Sequence, residues 1–132
     1  MKNQEVASKM VKAFTDMFIG TPIPGKFAIF GSAAIALRGV DLGRPVADLD
    51  ILIEEETRYQ FREELEECGV DIGPDDSELA GVTIAEVLAE ATQTEGSFGW
   101  PVATLNHLMR WKKAFGRPKD LLDVETMKAR GK

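Results

Sequence analysis

The chain has 132 residues, 44% of them apolar, with two Trp and seven Phe, which suffices for one domain with a single core and excludes a disordered chain. A formal charge of −6 argues against a broad nucleic-acid surface while leaving room for a small basic pocket. No apolar run approaches the roughly 20 residues that cross a bilayer, the first residues carry no signal-peptide pattern, and the one cysteine, Cys68, reads as a small core residue in a reducing compartment, so a cytoplasmic location is expected.

In chain order, residues 4–18 place Val6, Met10, Phe14 and Met17 or Phe18 at helical spacing and predict an amphipathic helix. Gly20 stops it, and Pro22 and Pro24 make 20–25 a connecting turn. Phe27–Phe30, bounded by Gly25 and Gly31, predicts a buried strand. Ser32 is expected to cap a helix built on Ala33–Leu37, which Gly39 ends. After a loop from Val40 to Pro45 that carries Asp41 and Arg44, the chain is expected to re-enter the sheet at Val46 or Ala47. On that second strand Leu49, Ile51 and Ile53 share one face, and Asp48, Asp50 and Leu52 the other.

Glu54–Cys68 reads as an exposed helix with a narrow apolar stripe. Val70–Ile72 suggests a brief strand, 73–77 a turn, and 83–93, with Ile84, Val87, Leu88 and Ala91 in phase, a helix. A loop over 94–99 and an extended segment over 100–104 lead to a helix capped by Thr104 or Asn106, holding Leu105, Leu108, Met109 and Trp111 or Lys112. Gly116–Pro118 breaks it, and a last helix from about Pro118 to Ala129 is expected to turn Leu121, Leu122, Val124 and Met127 inward. The expected fold class is α/β (α+β), a small mixed sheet with helices packed on it, in one domain spanning 1–132.

Two stretches carry chemistry. A strand that breaks at Gly31 and Ser32 into a helix aims backbone N–H groups at an anion. Asp48 and Asp50, two apart on a strand, project from one face about 7 Å apart and can reach one metal ion or one pair of ions. A phosphate cradle beside a paired acid outlines a phosphoryl-transfer site. Each feature has a plainer reading: Gly31 and Ser32 as a tight turn and cap, the acids as a solvated strand end or a pair balanced by Arg44. Two acids flanking a leucine in an apolar strand nonetheless carry a burial cost that a site explains. Asp120 and Asp123 read as helix-capping groups paired with Arg117 or Lys119 rather than metal ligands, His107 as a surface or core residue rather than a base, and Trp100 and Trp111 as packing anchors rather than base-stacking platforms.

The pieces Gly31-Ser32, Arg44 to Ile53 with Asp48 and Asp50, and Lys112 to Asp123 with its Gly116-Arg-Pro-Lys-Asp120 run resemble the minimal nucleotidyltransferases of the DNA polymerase beta superfamily. The similarity is to the small bacterial and phage branch that includes abortive-infection toxins and lincosamide-type antibiotic nucleotidyltransferases, and it covers residues 26–54 and 101–128. It implies a nucleotidyltransferase-like fold and transfer of a nucleoside monophosphate from a nucleoside triphosphate to a hydroxyl acceptor. It also implies Mg²⁺ held by Asp48 and Asp50, with Gly31, Ser32, Arg44 and Lys112 on the phosphates. Members supply a third carboxylate from a later strand. Asp71, in Val-Asp-Ile, has that local setting but comes earlier than the pattern expects, and Glu86 lies in a segment that reads as helix.

The acceptor is unspecified, and in so short a chain its site would be an open cleft, a protein partner or a second protomer. Two further readings stay open. One is a nucleotidyltransferase-like binding or assembly module without activity, such as a component of a toxin and antitoxin pair. The other is an unrelated α/β domain, which would leave Asp48 and Asp50 far from the Gly31 turn.

Overall fold

The first helix, α1 (Asn3–Met17), lays Ala7, Val11 and Phe14 into the core with Val6 and Met10 beside them, a stripe at helical spacing one residue wider than the sequence suggests. It packs on α2 (Gly31–Leu37), whose Ala33, Ala34 and Ala36 are buried and small enough for close helix approach. The computed structural model describes residues 2–17, 27–54, 63, 71–72 and 82–130. The expected turn over 20–25, nearly all of the acidic helix over 54–68 with Cys68, and the turn over 73–77 lie outside the described residues.

Among the described residues five strands form one mixed sheet: β1 (Phe27–Phe30), β2 (Asp50–Ile53), β3 (Asp71–Ile72), β4 (Thr92–Gln93) and β5 (Pro101–Val102). Their spatial order is β3-β2-β1-β5-β4, so the two longest strands lie side by side. β1 and β2 are antiparallel, with Phe27 opposite Ile53 and Phe30 opposite Asp50. β5 runs parallel to β1, and β3 parallel to β2. Ala28, Ile29 and Phe30 on β1 and Ile51, Leu52 and Ile53 on β2 are all buried, so β1–β2 is the centre of the core. The α/β reading of the sequence therefore holds at the level of a mixed sheet with helices on it.

Between β3 and β5, α3 (Ile84–Glu90) is capped by the Thr83 hydroxyl, which accepts from the Glu86 N–H. The predicted helix over 83–93 ends early: Ala91 is extended, and Thr92 and Gln93 pair with Val102 and Pro101. After β5, Thr104 caps α4 (Leu105–Phe115) by accepting from the His107 N–H. Gly116, at φ 65°, takes the left-handed turn that closes α4, and Pro118 opens α5 (Pro118–Arg130) where its missing N–H costs nothing. α2 and α3 pack on the β1–β2 pair, α1 lies on α2, and α4 packs on α5, its neighbour in sequence.

The inward face of α5 differs from the expected one. Val124 and Met127 are buried as predicted, but Leu121 and Leu122 are 49% and 69% exposed, and Asp120 and Asp123 are buried in their place. The physical reason is charge: three cations from α4, the α4–α5 turn and the loop before β2 meet those two carboxylates.

Candidate active site

β1 ends where Gly31 turns the chain at φ 68°, a backbone conformation that favours glycine. A Cβ added there would lie 2.6 Å from Asp50 Oδ2, so the missing side chain makes the room that the Asp50 carboxylate occupies. The turn and the acid strand are thus one feature, which the reading as an unrelated α/β domain required to be separate. The β1–β2 register is the cause, since Phe30 pairs with Asp50 and Gly31 follows directly.

Asp48 is placed differently from expectation. β2 starts at Asp50, and Asp48 lies ahead of it in extended but unpaired chain, exposed to solvent. Four residues of β1 are matched by four of β2, and once Gly31 turns away there is no backbone for Leu49 or Asp48 to bond. Ser32 also departs from its predicted role. The N-cap position belongs to Phe30, no side chain caps α2, and Ser32 is an exposed residue within the first turn.

These residues nevertheless share one cavity of about 240 Å³, lined by Gly31, Ser32, Arg44, Asp48, Asp50 and Lys112 together with Trp111, Arg117 and Lys119. Its two walls are chemically distinct. Asp48 and Asp50 sit on the β2 side, and four basic residues, Arg44, Lys112, Arg117 and Lys119, are gathered from the loop before β2 and from α4 and α5. In a chain of net charge −6 such a grouping of cations is a local departure from the charge of the whole molecule.

The basic wall is held by the two buried carboxylates of α5. Arg44 donates to both oxygens of Asp123, at 2.8 and 2.6 Å, in the bidentate geometry that guanidinium favours. Lys112 Nζ lies 2.9 Å from Asp123 and 3.4 Å from Asp120. Arg117 donates to Asp120 at 2.6 and 3.2 Å. Burial pushes the Asp120 carboxyl up, but the hydrogen bond from Arg117 and the charge of Lys112 outweigh it and hold it below its ordinary value. For Asp123 burial is likewise outweighed, by hydrogen bonds from Arg44 and Lys112. The Arg44 guanidinium is correspondingly raised by its hydrogen bond to Asp123, and Arg117 by that to Asp120. Three cations against two carboxylates leave one positive charge in excess, before Lys119 is added.

No family model, curated protein or solved structure matches this chain. The site's chemistry therefore rests on its own residues.

Of the expected site residues, Gly31, Ser32, Arg44, Asp48, Asp50 and Lys112 are brought together. The backbone of Asp71 pairs in register with Asp50 on the neighbouring strand. Glu86, the other candidate acid, is elsewhere: it lies on α3, 3.3 Å from Arg110, and lines no part of the cavity. Among the described residues no three His, Cys, Asp or Glu side chains are grouped to hold a metal ion by themselves. Asp48 and Asp50 make a pair of hard oxygen donors, and the cradle left by the missing Gly31 side chain is filled by one of them, which suits Mg²⁺ better than a soft metal.

His107 is 1% exposed and stands apart from the cavity, as a core residue should. Its Nε2 lies 2.9 Å from a Glu90 carboxylate oxygen, out of line for a hydrogen bond. Trp100 is a packing anchor between Phe14 and Phe27, its indole N–H donating to Thr15. Trp111, read as an anchor too, packs on Phe30 and Phe115 but also lines the cavity, a placement that only the turn at Gly116 and the fold of α4 onto β1 produce.

Proposed function

We propose that this chain is a metal-dependent nucleotidyltransferase of the DNA polymerase beta kind, moving a nucleoside monophosphate from a nucleoside triphosphate to a hydroxyl acceptor. The observation that carries this reading is one cavity lined by two carboxylates, Asp48 and Asp50, and by four basic side chains. A triphosphate bears about four negative charges; the basic wall, its charge half balanced by Asp120 and Asp123, would meet part of them and Mg²⁺ the rest, while Asp123 and Asp120 fix the position of Arg44, Lys112 and Arg117.

Asp48 and Asp50 would hold Mg²⁺, and Asp71, whose backbone pairs with that of Asp50, is the candidate for the third carboxylate. Bound there, Mg²⁺ supplies charge neutralisation for the pyrophosphate leaving group and acidifies the acceptor hydroxyl. The chain's own contributions are positional. Ser32 offers a hydroxyl at the mouth of the Gly31 turn, and Arg44 and Lys112 hold the leaving phosphates. Asp71 is assigned the proton of the acceptor oxygen as that oxygen bonds to the α-phosphorus and pyrophosphate departs.

A second reading, a binding or assembly module with the same cavity and no turnover, is favoured by one feature: Asp48 is off the strand and exposed, a looser hold than a metal ligand needs. Calorimetric titration of ATP, GTP, CTP and UTP with Mg²⁺ separates the readings. The enzyme reading expects metal-dependent binding that Asp48→Asn and Asp50→Asn each weaken at least tenfold, with pyrophosphate released on supply of an acceptor. Binding that ignores Mg²⁺ and both substitutions would overturn it.

A further inference from the structure

Among the described residues Trp111 is the one aromatic side chain that lines the cavity, and its packing on Phe30 and Phe115 leaves one cost unexplained. Its indole N–H is buried without a hydrogen-bond partner, a desolvation cost that a phenylalanine in the same stack would avoid. Trp100 shows the contrast within the same molecule, since its N–H is satisfied by Thr15. Phe30 and Phe115 brace the Trp111 ring at centroid distances of 4.8 and 5.7 Å, so the indole is rigidly held between the core and the cavity. Lys112 Nζ lies 5.3 Å from the ring centroid, which puts a phosphate-binding charge and an aromatic surface side by side.

From this placement we infer that Trp111 is the stacking wall for the nucleobase of the bound nucleotide, and that this wall favours purines over pyrimidines without selecting between adenine and guanine. The inference rests on the nucleotide reading of the cavity. Stacking scales with ring area and is indifferent to the pattern of donors and acceptors on the base edge. The described lining contains no Asn or Gln to read that edge, and its charged groups are committed to phosphate and metal. Ser32 is the sole neutral polar side chain among them.

The test uses the whole chain with Trp100→Phe, which leaves Trp111 as the sole tryptophan, and titrates ATP, GTP, CTP, UTP and inorganic tripolyphosphate with Mg²⁺ while following indole emission. The expected result is quenching by nucleotides, binding of ATP and GTP roughly 10- to 100-fold tighter than tripolyphosphate, and a smaller gain for CTP and UTP. In Trp111→Leu, followed by calorimetry, that advantage over tripolyphosphate should fall to within about threefold while tripolyphosphate itself binds as before. Trp111→Phe, which keeps an aromatic ring in the stack, should retain part of the advantage and guards against a leucine variant that fails to fold.

Equal affinities for ATP and tripolyphosphate in the parent chain overturn the stacking wall and leave the phosphate site standing. An advantage that survives Trp111→Leu overturns it as well. Failure of every triphosphate to bind overturns the nucleotide reading itself, and the stacking wall with it.

Discussion

The Asp50 carboxylate occupies the space where a side chain on Gly31 would begin, with Oδ2 only 2.6 Å from that point. Gly31→Ala should therefore do two things at once. The positive φ alone costs about 1–3 kcal/mol for a residue with a Cβ, and the new methyl must push Asp50 aside. Urea unfolding should show that loss, and metal-dependent triphosphate binding should weaken beyond it. Unchanged stability would mean that the turn relaxes freely and that Asp50 is not seated by it.

Asp123 is the hinge-pin of the basic wall. Removing its carboxylate with Asp123→Ala leaves the buried Lys112 with a single counter-charge and Arg44 with none among the contacts that place it. Breaking a buried pair in this way costs about 3 kcal/mol, read as a lower urea midpoint. Lys12→Ala, which removes an exposed pair with Asp16, should shift the midpoint by less than about 1 kcal/mol. Comparable losses in the two variants would show that the wall is not a buried network.

The same network sets an acid limit on stability. Asp120 and Asp123 titrate below the ordinary aspartate value when folded, so unfolding raises their pKa and the unfolded chain binds more protons in that range. Their contribution is complete above the unfolded value of about 3.9 and is lost as pH falls through the depressed folded values. The urea midpoint should fall as acidity increases below about pH 4, and the fall should be shallower in Asp123→Asn. Identical acid profiles for the two proteins would remove the carboxylate from this role.

Leu122 should tolerate replacement by lysine with a change within about 0.5 kcal/mol, because it is 69% exposed. Met127, one face round the same helix and fully buried, should lose about 2–5 kcal/mol on truncation to alanine. Thermal melts of the two variants check the orientation of α5 directly, and the reverse ranking would restore the leucine-inward face.

Much of this arrangement is legible in the residues. An apolar run ending in glycine announced β1 and its turn, and Thr104 announced the start of α4, because those signals act on their own neighbours. The length of β2 was not legible: Val46 to Ile53 has a strand's composition, but its pairing partner is only four residues long. The face of α5 was misread for a related reason. Leucines in phase suggest burial, whereas Asp120 and Asp123 win the inward positions through cations that lie on other elements, one of them 79 residues away in sequence. Gly31, Ser32, Arg44, Asp48, Asp50 and Lys112 were expected at the site and line one cavity, whereas Trp111 read as a packing anchor rather than a base-stacking platform, since an indole in an apolar stripe looks the same whether or not it borders a cavity.

The span of the Arg44–Asp123 bond bears on how the protein folds. The Gly31 turn and Asp50 are joined by the pairing of two strands close in sequence, whereas Arg44 and Lys112 take their places only through carboxylates on α5. Until α5 docks, Arg44 and Lys112 lack the Asp123 carboxylate that positions them, so the basic wall is set only when contacts of long sequence separation have formed.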